Sequence, residues 1–597
     1  MPLTFKNLNE LWAYVLTETL KRLGLTYAVI CPGSRSTPLA MAFASSTPHI
    51  EGISILDERS AAFFALGIAK ATGKAVVVVC SSGTAGANFY PAVIEATYSR
   101  VPLLILTADR PQEMRECHSG QTIDQLKLYG NYPNWHTELA LPSKDMAILT
   151  YLRQTIIYAW ERTLYPVPGV VHLNIPFRDP LVPMNDTNLI TGNFPSLDSE
   201  EFFSHITSLT PALAYSRGNP FPYPQEWQEF KRGIIIAGVA QLSQPREYCQ
   251  AIAQLSQTLK FPVLAEGLSP LRNYANLNLY LISTYDLILR NPELTKELTP
   301  EIVIQVGEMP TSKILRNWLN ITDSRRWVIE KSDQNLDSLH GRTIHLRMSV
   351  EEIAREGLGG PGSNYSVNKY LNLWCDAEIK VRSAVDNKMP GIGELFESKV
   401  AWLMSKILPE NTPLFIGNSM PVRDVEFFWK PNNLNIRPFF NRGANGIDGT
   451  LSTALGIAYR QQSSVMLTGD LALLHDTNGF LMRNKFAGHL TIVLINNNGG
   501  GIFEMLPIAK FDPPFEEFFA TPQDINFAQL CTTYGIEHEL ITSWEHLQQK
   551  LNPLPNRGIR VLEVQTNRKL DAKWRQDNLG KFATDALNCH YKEFQSS

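Results

Sequence analysis

The chain has 597 residues, of which 44% are hydrophobic and 19% are charged, and its formal net charge is −4. At roughly 100–200 residues per domain, this length predicts three or four domains. No apolar run approaches the ~20 residues needed to cross a bilayer, and a charge so close to neutral argues against nucleic acid or an anionic membrane surface as a partner. The seven scattered cysteines contain no C-x-x-C pair, which favours neither a disulfide framework nor a zinc site and fits a reducing cytoplasm.

The N-terminal segment is predicted to form an amphipathic core helix rather than a signal peptide. Acidic residues at positions 10 and 18 interrupt it, and its apolar residues recur at helical spacing at Leu8, Leu11, Trp12, Val15, Leu16 and Leu23. From Thr26 onward, short β-rich runs alternate with helix-length segments, which is typical of buried parallel strands joined by crossover helices. The runs are TYAVICPG, GISILDE, KAVVVVCSS and VPLLILTAD. We therefore predict a doubly wound α/β domain over residues 1–183.

Two further α/β domains are predicted downstream. A polar stretch over 184–224 is typical of a linker, and the second domain, 225–355, carries the runs GIIIAGVA, FPVLAEG, EIVIQVGE and RRWVIEKS. A glycine-rich break at 357–362 falls in a helical connector, 356–390. The third domain, 391–585, carries TPLFIGNS, NIRPFFNRG, SSVMLTGD, LTIVLINNN and IRVLEVQ. The predicted fold is three consecutive doubly wound α/β domains with mainly parallel sheets.

The strongest local signal is a pair of polar motifs after two apolar runs. Thr468-Gly469-Asp470 ends one run, and Asn497 follows the next, 27 positions later. Ligands bind at the carboxyl ends of parallel strands, and a helix predicted to start beyond Leu474 would direct its N-terminus at a phosphate. Oxygen ligands from Asp470, Asn497 and a carbonyl in the flexible run 499–501 suit Mg2+, with Mn2+ as the alternative metal. Each motif alone is an ordinary turn, whereas the pair predicts a metal-diphosphate site.

One acidic residue stands at a helix start in the first domain. Glu58 follows an apolar run and opens an apolar helical segment. Taken alone, it is a first-turn acid that favours the helix dipole.

Together, the paired motifs and the three α/β units in series resemble thiamine-diphosphate enzymes, although Leu471 stands where the general motif has glycine. The resemblance implies pyrimidine-binding, central and diphosphate-binding domains, with thiamine diphosphate and Mg2+ as cofactors. It makes Glu58 the catalytic acid that hydrogen-bonds the N1′ atom of the cofactor. It also implies a homodimer or homotetramer with active sites at the subunit interface. Cofactor contacts are expected at Glu58, Gly446, Ile447, Gly469, Asp470, Leu471, Asn497, Asn498, Gly499, Ile502 and Phe503, and metal ligands at Asp470, Asn497 and Gly499.

Further motifs narrow the resemblance to the family of 2-succinyl-5-enolpyruvyl-6-hydroxy-3-cyclohexene-1-carboxylate synthases of menaquinone and phylloquinone biosynthesis. They are Ser34-Arg35-Ser36-Thr37-Pro38, Asp57-Glu58-Arg59-Ser60-Ala61, Ala108-Asp109-Arg110-Pro111, Gly417-Asn418-Ser419 with Arg423, Asn441-Arg442-Gly443-Ala444, and residues 496–503. This resemblance covers essentially the whole chain. It implies that 2-oxoglutarate is decarboxylated and that the succinyl carbanion adds in 1,4 fashion to isochorismate.

Both substrates are dicarboxylates, which arginine binds well because its planar guanidinium contacts a carboxylate through two parallel hydrogen bonds. The resemblance places Ser419, Arg423 and Arg442 beside 2-oxoglutarate, and Ile502 and Phe503 along an apolar wall. It places isochorismate beside Ser34, Arg35, Arg110 and Gln121. Lys313 matches a basic residue of the family, but Ile314 follows it where a second base is expected, and Arg316 is the candidate substitute.

Other interpretations stay open at this level. An acetolactate-synthase-like carboligase or a simple 2-oxoacid decarboxylase acting on pyruvate would share the cofactor motifs, and a catalytically silent relative would be a binding module. Because the cofactor supplies both nucleophile and base, Cys117, His118 and His475 are predicted to be packing or polar lining. Residues 236–240 lack the G-x-G-x-x-G fingerprint, so no dinucleotide is predicted in the central domain.

Overall fold

A computed structural model describes residues 5–184, 199–206, 226–242, 244–322, 324–355 and 368–584. These residues fall into two compact units. The first comprises those within 1–216, 441–459 and 475–486, and the second those within 217–440, 460–474 and 487–597. Most of the predicted linker and the glycine-rich break at 357–362 lie outside the described residues.

The first unit contains a six-stranded sheet in the order β2-β1-β3-β4-β6-β5, and every strand pair in it is parallel. Its strands are β1 (Tyr27–Ile30), β2 (Glu51–Ser54), β3 (Val76–Cys80), β4 (Leu103–Asp109), β5 (Trp135–Glu138) and β6 (Val170–Pro176). Its first helices are α1 (Leu8–Arg22), α2 (Thr37–Ser45), α3 (Glu58–Thr72), α4 (Thr84–Ala87), α5 (Tyr90–Tyr98), α6 (Met146–Leu164) and α7 (Ser199–Phe203). The predicted N-terminal helix is confirmed, whereas β5 and β6 were absent from the sequence prediction.

The second unit contains two sheets. The first of them has the order β12-β11-β10-β7-β8-β9 and is again entirely parallel. Its strands are β7 (Gly233–Ala237), β8 (Val263–Ala265), β9 (Leu281–Ile282), β10 (Ile302–Val306), β11 (Arg325–Ile329) and β12 (Arg342–Leu346). The accompanying helices are α8 (Glu226–Glu229), α9 (Pro245–Leu259), α10 (Tyr285–Ile288), α11 (Pro292–Glu297), α12 (Lys313–Ile321), α13 (Val350–Arg355) and α14 (Lys369–Lys388).

The other sheet of the second unit has the order β14-β13-β15-β16-β18-β17, with parallel pairing throughout. Its strands are β13 (Pro413–Ile416), β14 (Arg437–Phe439), β15 (Ser464–Gly469), β16 (His489–Asn496), β17 (Glu537–Leu540) and β18 (Gly558–Gln565). The helices of this part of the chain are α15 (Glu397–Ile407), α16 (Met420–Phe428), α17 (Thr450–Ala458), α18 (Asp470–His475), α19 (Phe527–Tyr534), α20 (Trp544–Leu551) and α21 (Arg568–Asn578).

Shorter turns complete the structure. The helix after β15 begins at Asp470 itself, so the predicted start beyond Leu474 is wrong. The 3-10 segments are Gln112–Met114, Pro270–Asn273, Ala275–Leu277, Thr477–Asn484, Gly501–Met505 and Pro507–Lys510, and a π-helical turn spans Glu516–Ala520. Among the described helices, none has the length and apolarity needed to cross a membrane.

Within the first unit, α3 packs backbone to backbone against α17. A Cβ atom added to Gly67 would lie 2.1 Å from the carbonyl oxygen of Thr453, and one added to Gly456 would lie 2.1 Å from that of Phe64. Only glycine fits such an approach, because a side chain would force the two helices apart. This contact fixes the helix that begins with Glu58.

Candidate active site

The two predicted metal-binding motifs meet at the carboxyl ends of β15 and β16. Asp470 is buried, with 4% of its surface exposed, and Asn497 is 9% exposed. The Asp470 Oδ1 atom accepts a hydrogen bond from the Leu471 amide at 2.8 Å, and its Oδ2 atom accepts one from the Gly499 amide at 2.8 Å. The structure therefore brings Asp470 and the loop after Asn497 together, as the strand pairing of a parallel sheet requires.

The side chain of Asn497 is oriented by a single strong contact. Its Nδ2 atom donates to the Oε1 atom of Glu397 at 2.5 Å, whereas its Oδ1 atom is buried and has no hydrogen-bond partner within the described part of the chain. Buried acceptors are almost always bonded, so an unpaired amide oxygen beside a buried carboxylate requires an explanation. A bound cation supplies one, because Mg2+ takes carboxylate and amide oxygens as ligands. The residues present therefore fit a metal ion.

The pKa of Asp470 also supports a cation site. Burial raises the pKa of Asp470 to about 6, and the hydrogen bonds from the Leu471 and Gly499 amides oppose this rise. A divalent cation lowers the pKa of a carboxylate that binds it. Asp470 is thus a group whose charged form a bound cation would stabilise.

The loop after Asn497 is held in a conformation that glycine permits. Gly499 has a φ of 140°, and a Cβ atom there would lie 2.5 Å from the Ala520 carbonyl oxygen. The Gly500 amide donates to that carbonyl at 2.7 Å, and the Gly501 amide donates to the Gly499 carbonyl at 2.9 Å. A carbonyl oxygen has two lone pairs, and the Gly501 amide uses one of those on the Gly499 carbonyl, so the second is compatible with a metal ligand.

Asn498 and the apolar residues that follow have distinct environments. The Asn498 Oδ1 atom accepts from the amides of Gln523 at 3.2 Å and Asp524 at 3.1 Å, so this side chain fastens the loop. Ile502 and Phe503 are half-buried. The Phe503 ring lies edge-on to another aromatic ring, with centroids 5.8 Å apart. A Cβ atom on Gly469 would have no atom of the described residues within 4 Å, so these residues leave open space beside the predicted diphosphate motif.

The predicted 2-oxoglutarate residues of the second unit lie at the start of α16. Ser419 has a φ of 71°, and its carbonyl accepts a hydrogen bond from Arg423 Nη1 at 2.5 Å, so the two are joined. Lys313, at the first position of α12, is exposed. Arg316 is half-buried and donates from Nε to the Pro310 carbonyl at 2.9 Å. Burial lowers the pKa of Arg316, and the charge of Glu266 opposes that shift.

In the first unit, the start of α3 is anchored around the half-buried Glu58. The Asp57 Oδ1 atom caps the helix by accepting from the Arg59 amide at 2.9 Å, and its Oδ2 atom accepts from Asn478 Nδ2 at 2.7 Å. The buried Asp476 accepts from the Ser452 amide at 2.7 Å. Asp476 also accepts from the Ser60 hydroxyl of α3 at 3.4 Å, and this bond and those of Asp57 fix the backbone that carries Glu58.

The predicted isochorismate residues also lie in the first unit. Arg35 is 8% exposed and donates from Nη1 to the Phe177 carbonyl at 3.0 Å, while its buried Nε atom has no hydrogen-bond partner in the described segments. The Arg110 Nη1 atom donates to the Gln121 carbonyl at 2.7 Å. Burial, and then the positive charge of Arg35, lower the pKa of Arg110. Two guanidinium groups whose positive charges act on each other suit an anionic ligand. Ser34 is exposed.

Arg442 stands in a loop that is tied to two helices of the first unit. Glu95 of α5 accepts from the Gly443 amide at 3.0 Å and from the Ala444 amide at 2.7 Å. Lys70 of α3 lies 3.5 Å from Glu95, and this ion pair is almost fully buried. The loop continues through the half-buried residues Gly446 and Ile447.

Comparison with known proteins identifies the family. Three family models match: the N-terminal TPP binding domain of thiamine pyrophosphate enzymes at residues 12–128, the middle domain at 207–416, and the C-terminal TPP binding domain at 430–564. The chain is 70% identical to the 2-succinyl-5-enolpyruvyl-6-hydroxy-3-cyclohexene-1-carboxylate synthase of Nostoc sp., over 98% of this chain and 100% of that protein. The proteins of the same name from Trichormus variabilis and Gloeothece citriformis are 70% and 63% identical, each over 98% of this chain and 100% of the relative.

The chain belongs to the 2-succinyl-5-enolpyruvyl-6-hydroxy-3-cyclohexene-1-carboxylate synthase family. The predicted family, the thiamine-diphosphate cofactor and the three-domain α/β fold are confirmed, and the comparisons do not support the pyruvate-specific alternatives. A solved structure of a candidate thiamin diphosphate-dependent enzyme from Mycobacterium smegmatis has the same fold. It has a TM-score of 0.67 and 17% identity, and the match covers 94% of this chain and 100% of that one.

The sequence interpretation missed the residues that support the site. Glu397, which orients Asn497, and Glu95, which holds the Arg442 loop, carry no motif and lie far along the chain from the residues they contact. A glutamate in a helix gives no pattern that separates such a role from a solvated surface position. Cys117, His118 and His475 are all exposed.

Proposed function

We propose that this protein decarboxylates 2-oxoglutarate with thiamine diphosphate and Mg2+, and adds the resulting succinyl group in 1,4 fashion to isochorismate. The product is 2-succinyl-5-enolpyruvyl-6-hydroxy-3-cyclohexene-1-carboxylate, with pyruvate not eliminated in this step. The observation that carries the proposal is the 70% identity, along the whole length of the relative, to a protein of that name.

The cofactor would be held by residues of both motifs. Asp470, the free oxygen of Asn497 and the Gly499 carbonyl would bind Mg2+, with Mn2+ as the alternative, and the metal would bind the diphosphate. Thiamine diphosphate, when bound, supplies the carbanion that attacks the 2-oxoacid and accepts the electrons released as CO2 leaves. The Glu58 carboxyl would hydrogen-bond the N1′ atom of the cofactor and hold the proton there.

The substrates would be recognised by their carboxylates. We assign Ser419, Arg423 and Arg442 to 2-oxoglutarate. The buried Nε atom of Arg35, unpaired among the described residues, and the effect of the Arg35 charge on Arg110 support an anionic ligand there, and we assign isochorismate to Ser34, Arg35, Arg110 and Gln121. Lys313 is proposed as a further basic substrate contact. Ile502 and Phe503 would line the apolar side of the cofactor. That apolar wall would keep water away from the reacting carbon, which would protect it from unwanted protonation.

We further propose a cytoplasmic homodimer or homotetramer with active sites at the subunit interface, built from domains at 1–183, 225–355 and 391–585. Co-expression of a Glu58→Gln chain with an Asp470→Ala chain tests this assembly. If the two residues come from different subunits, a random dimer mixture regains about a quarter of the activity, because half the dimers carry one intact site. Activity near zero, with mixed dimers present, would contradict a shared site.

The reaction itself can be tested with one mixture. Purified protein, thiamine diphosphate, Mg2+, 2-oxoglutarate and isochorismate should consume isochorismate, measured by its absorbance, and omission of any component should stop the reaction. Replacing 2-oxoglutarate by pyruvate should abolish turnover, because pyruvate lacks the second carboxylate that the arginines would bind. Equal rates with pyruvate, and no effect of Arg423→Ala, would refute the proposed substrate.

A further inference from the structure

A buried cluster of charged residues lies beside Asn497 in the second unit. Its members are Glu397 at the start of α15, Asp424 in α16, and Asp571 and Arg575 in α21, with exposures of 3%, 3%, 5% and 1%. Arg575 Nη2 lies 2.6 Å from Glu397 Oε2 and 2.7 Å from Asp424 Oδ2. The Glu397 amide donates to Asp571 Oδ2 at 3.2 Å. Glu397 is therefore fixed at its backbone and at one carboxylate oxygen.

The other carboxylate oxygen of Glu397 reaches the proposed metal ligand. Glu397 Oε1 accepts from Asn497 Nδ2 at 2.5 Å. A side-chain amide has a donor end and an acceptor end, and a carboxylate can only accept, so this bond determines which end faces Glu397. It thereby turns Asn497 Oδ1 away from Glu397, and that buried oxygen has no hydrogen-bond partner among the residues that the structure describes.

Stability alone does not account for this arrangement. Charges removed from water cost free energy that an ion pair often fails to repay, and an apolar core of the same size is frequently more stable. The cluster joins three different helices, and Glu397 is its only member with a hydrogen bond to a residue of the 497–499 loop. The arrangement resembles the outer groups that orient metal ligands in other metal sites.

We propose that Glu397 is a positioning residue that presents the Asn497 amide oxygen to the metal ion, and that Arg575 holds Glu397 in place. The inference rests on the proposed function, in which Asn497 binds Mg2+. Glu397 itself touches neither the metal nor a substrate in this scheme. Its effect should therefore appear in metal affinity and pass through Asn497.

The test is calorimetric titration of Mg2+ into protein with saturating thiamine diphosphate. Glu397→Gln should raise the Mg2+ Kd about 10- to 100-fold, the range seen when an outer partner of a metal ligand is lost. At saturating Mg2+, kcat should return to within a few-fold of the unsubstituted protein. Glu426→Gln is the matched control, because Glu426 is a buried glutamate of the same unit that bonds a backbone amide elsewhere, and it should leave the Mg2+ Kd unchanged.

A double substitution separates this inference from the proposed function. Asn497→Ala should weaken Mg2+ binding, and adding Glu397→Gln to it should then change the Kd less than about two-fold, since coupled residues are not additive. A full further loss would overturn the positioning role, as would a normal Kd in Glu397→Gln when Asn497→Ala is impaired. If Asn497→Ala binds Mg2+ normally, the proposed metal site itself fails. Should Glu397→Gln not fold, Glu397→Asp keeps the charge, and its Kd must still rise.

Discussion

The loop that carries Arg442 offers a prediction whose size can be worked out from the structure. Glu95 accepts from the amides of Gly443 and Ala444, while Lys70 pairs with it in a site where the two side chains are 4% and 1% exposed. In Glu95→Gln, only one end of the side chain can still accept, and the other end places an N–H group against a backbone amide. At least one loop bond is therefore lost, and Lys70 loses its countercharge.

Both losses have known magnitudes. A hydrogen bond to a charged group contributes about 1.5–3 kcal/mol, and breaking a buried ion pair by removing one partner costs about 3–5 kcal/mol. Lys70 keeps its hydrogen bond to Asn441 at 2.9 Å, so we expect a loss near the lower end, about 3 kcal/mol in the free energy of unfolding of the first unit. Of this loss, we attribute about 2 kcal/mol to loosening of the Arg442 loop. The same free energy, lost from substrate binding, corresponds to a roughly 30-fold higher KM for 2-oxoglutarate.

Two measurements check this expectation. Steady-state kinetics with varied 2-oxoglutarate, at saturating cofactor, Mg2+ and isochorismate, gives the KM, and urea unfolding gives the stability. Ser99→Ala is the control, because Ser99 packs against Gly443 and donates to Glu95 at 2.6 Å, while the amides of Gly443 and Ala444 keep their bonds to the Glu95 carboxylate in this variant. It should lower stability slightly and leave the KM unchanged. A Glu95→Gln protein with an ordinary KM for 2-oxoglutarate would show that the loop does not depend on this carboxylate.

Three further predictions follow from other parts of the structure. Gly456→Ala should lower the free energy of unfolding by about 1–2 kcal/mol, because overpacking against the Phe64 carbonyl costs more than the roughly 1 kcal/mol gained in helix propensity. Burial lowers the pKa of His172 to about 3. The contribution of neutral His172 to the free energy of unfolding is complete above pH 6.5 and is lost as pH falls towards 3. At pH 5 the free energy of unfolding should therefore be lower by about 2 kcal/mol, and His172→Gln should not show this loss. Arg35→Gln should raise the KM for isochorismate about 10- to 100-fold and leave the KM for 2-oxoglutarate unchanged.

Each has a contrasting result. Gly580→Ala adds a methyl group that no atom of the described residues approaches within 4 Å, and equal stability of this variant and Gly456→Ala would contradict the close helix packing. For His172→Gln, urea unfolding gives the difference in free energy of unfolding between the variant and the unsubstituted protein. This difference should change between pH 7 and pH 5, and a constant difference would refute the buried neutral imidazole. An Arg35→Gln protein that shows equal increases in both KM values would place the ligand of Arg35 elsewhere.

The sequence by itself determined the fold class, the family and most central strands, because buried parallel strands are continuous apolar runs such as β3 and β16. It could not determine the polar edge strands β5 and β17, because they read WHTE and EHEL and give no apolar run. The strand β6 was missed because buried His172 and Asn174 interrupt it, and their polarity is acceptable only where Thr107 and Gln125 bond them.

The same division holds for the candidate site. Asp470, Asn497 and the loop glycines could be named from the chain, since chain order and parallel pairing place the ends of adjacent strands together. The dependence of Asn497 on Glu397, and of the Arg442 loop on Glu95, was decided only by the tertiary structure. These contacts join residues 100 and 348 positions apart. Local propensity cannot encode them, because a carboxylate finds such partners only after the intervening helices have packed.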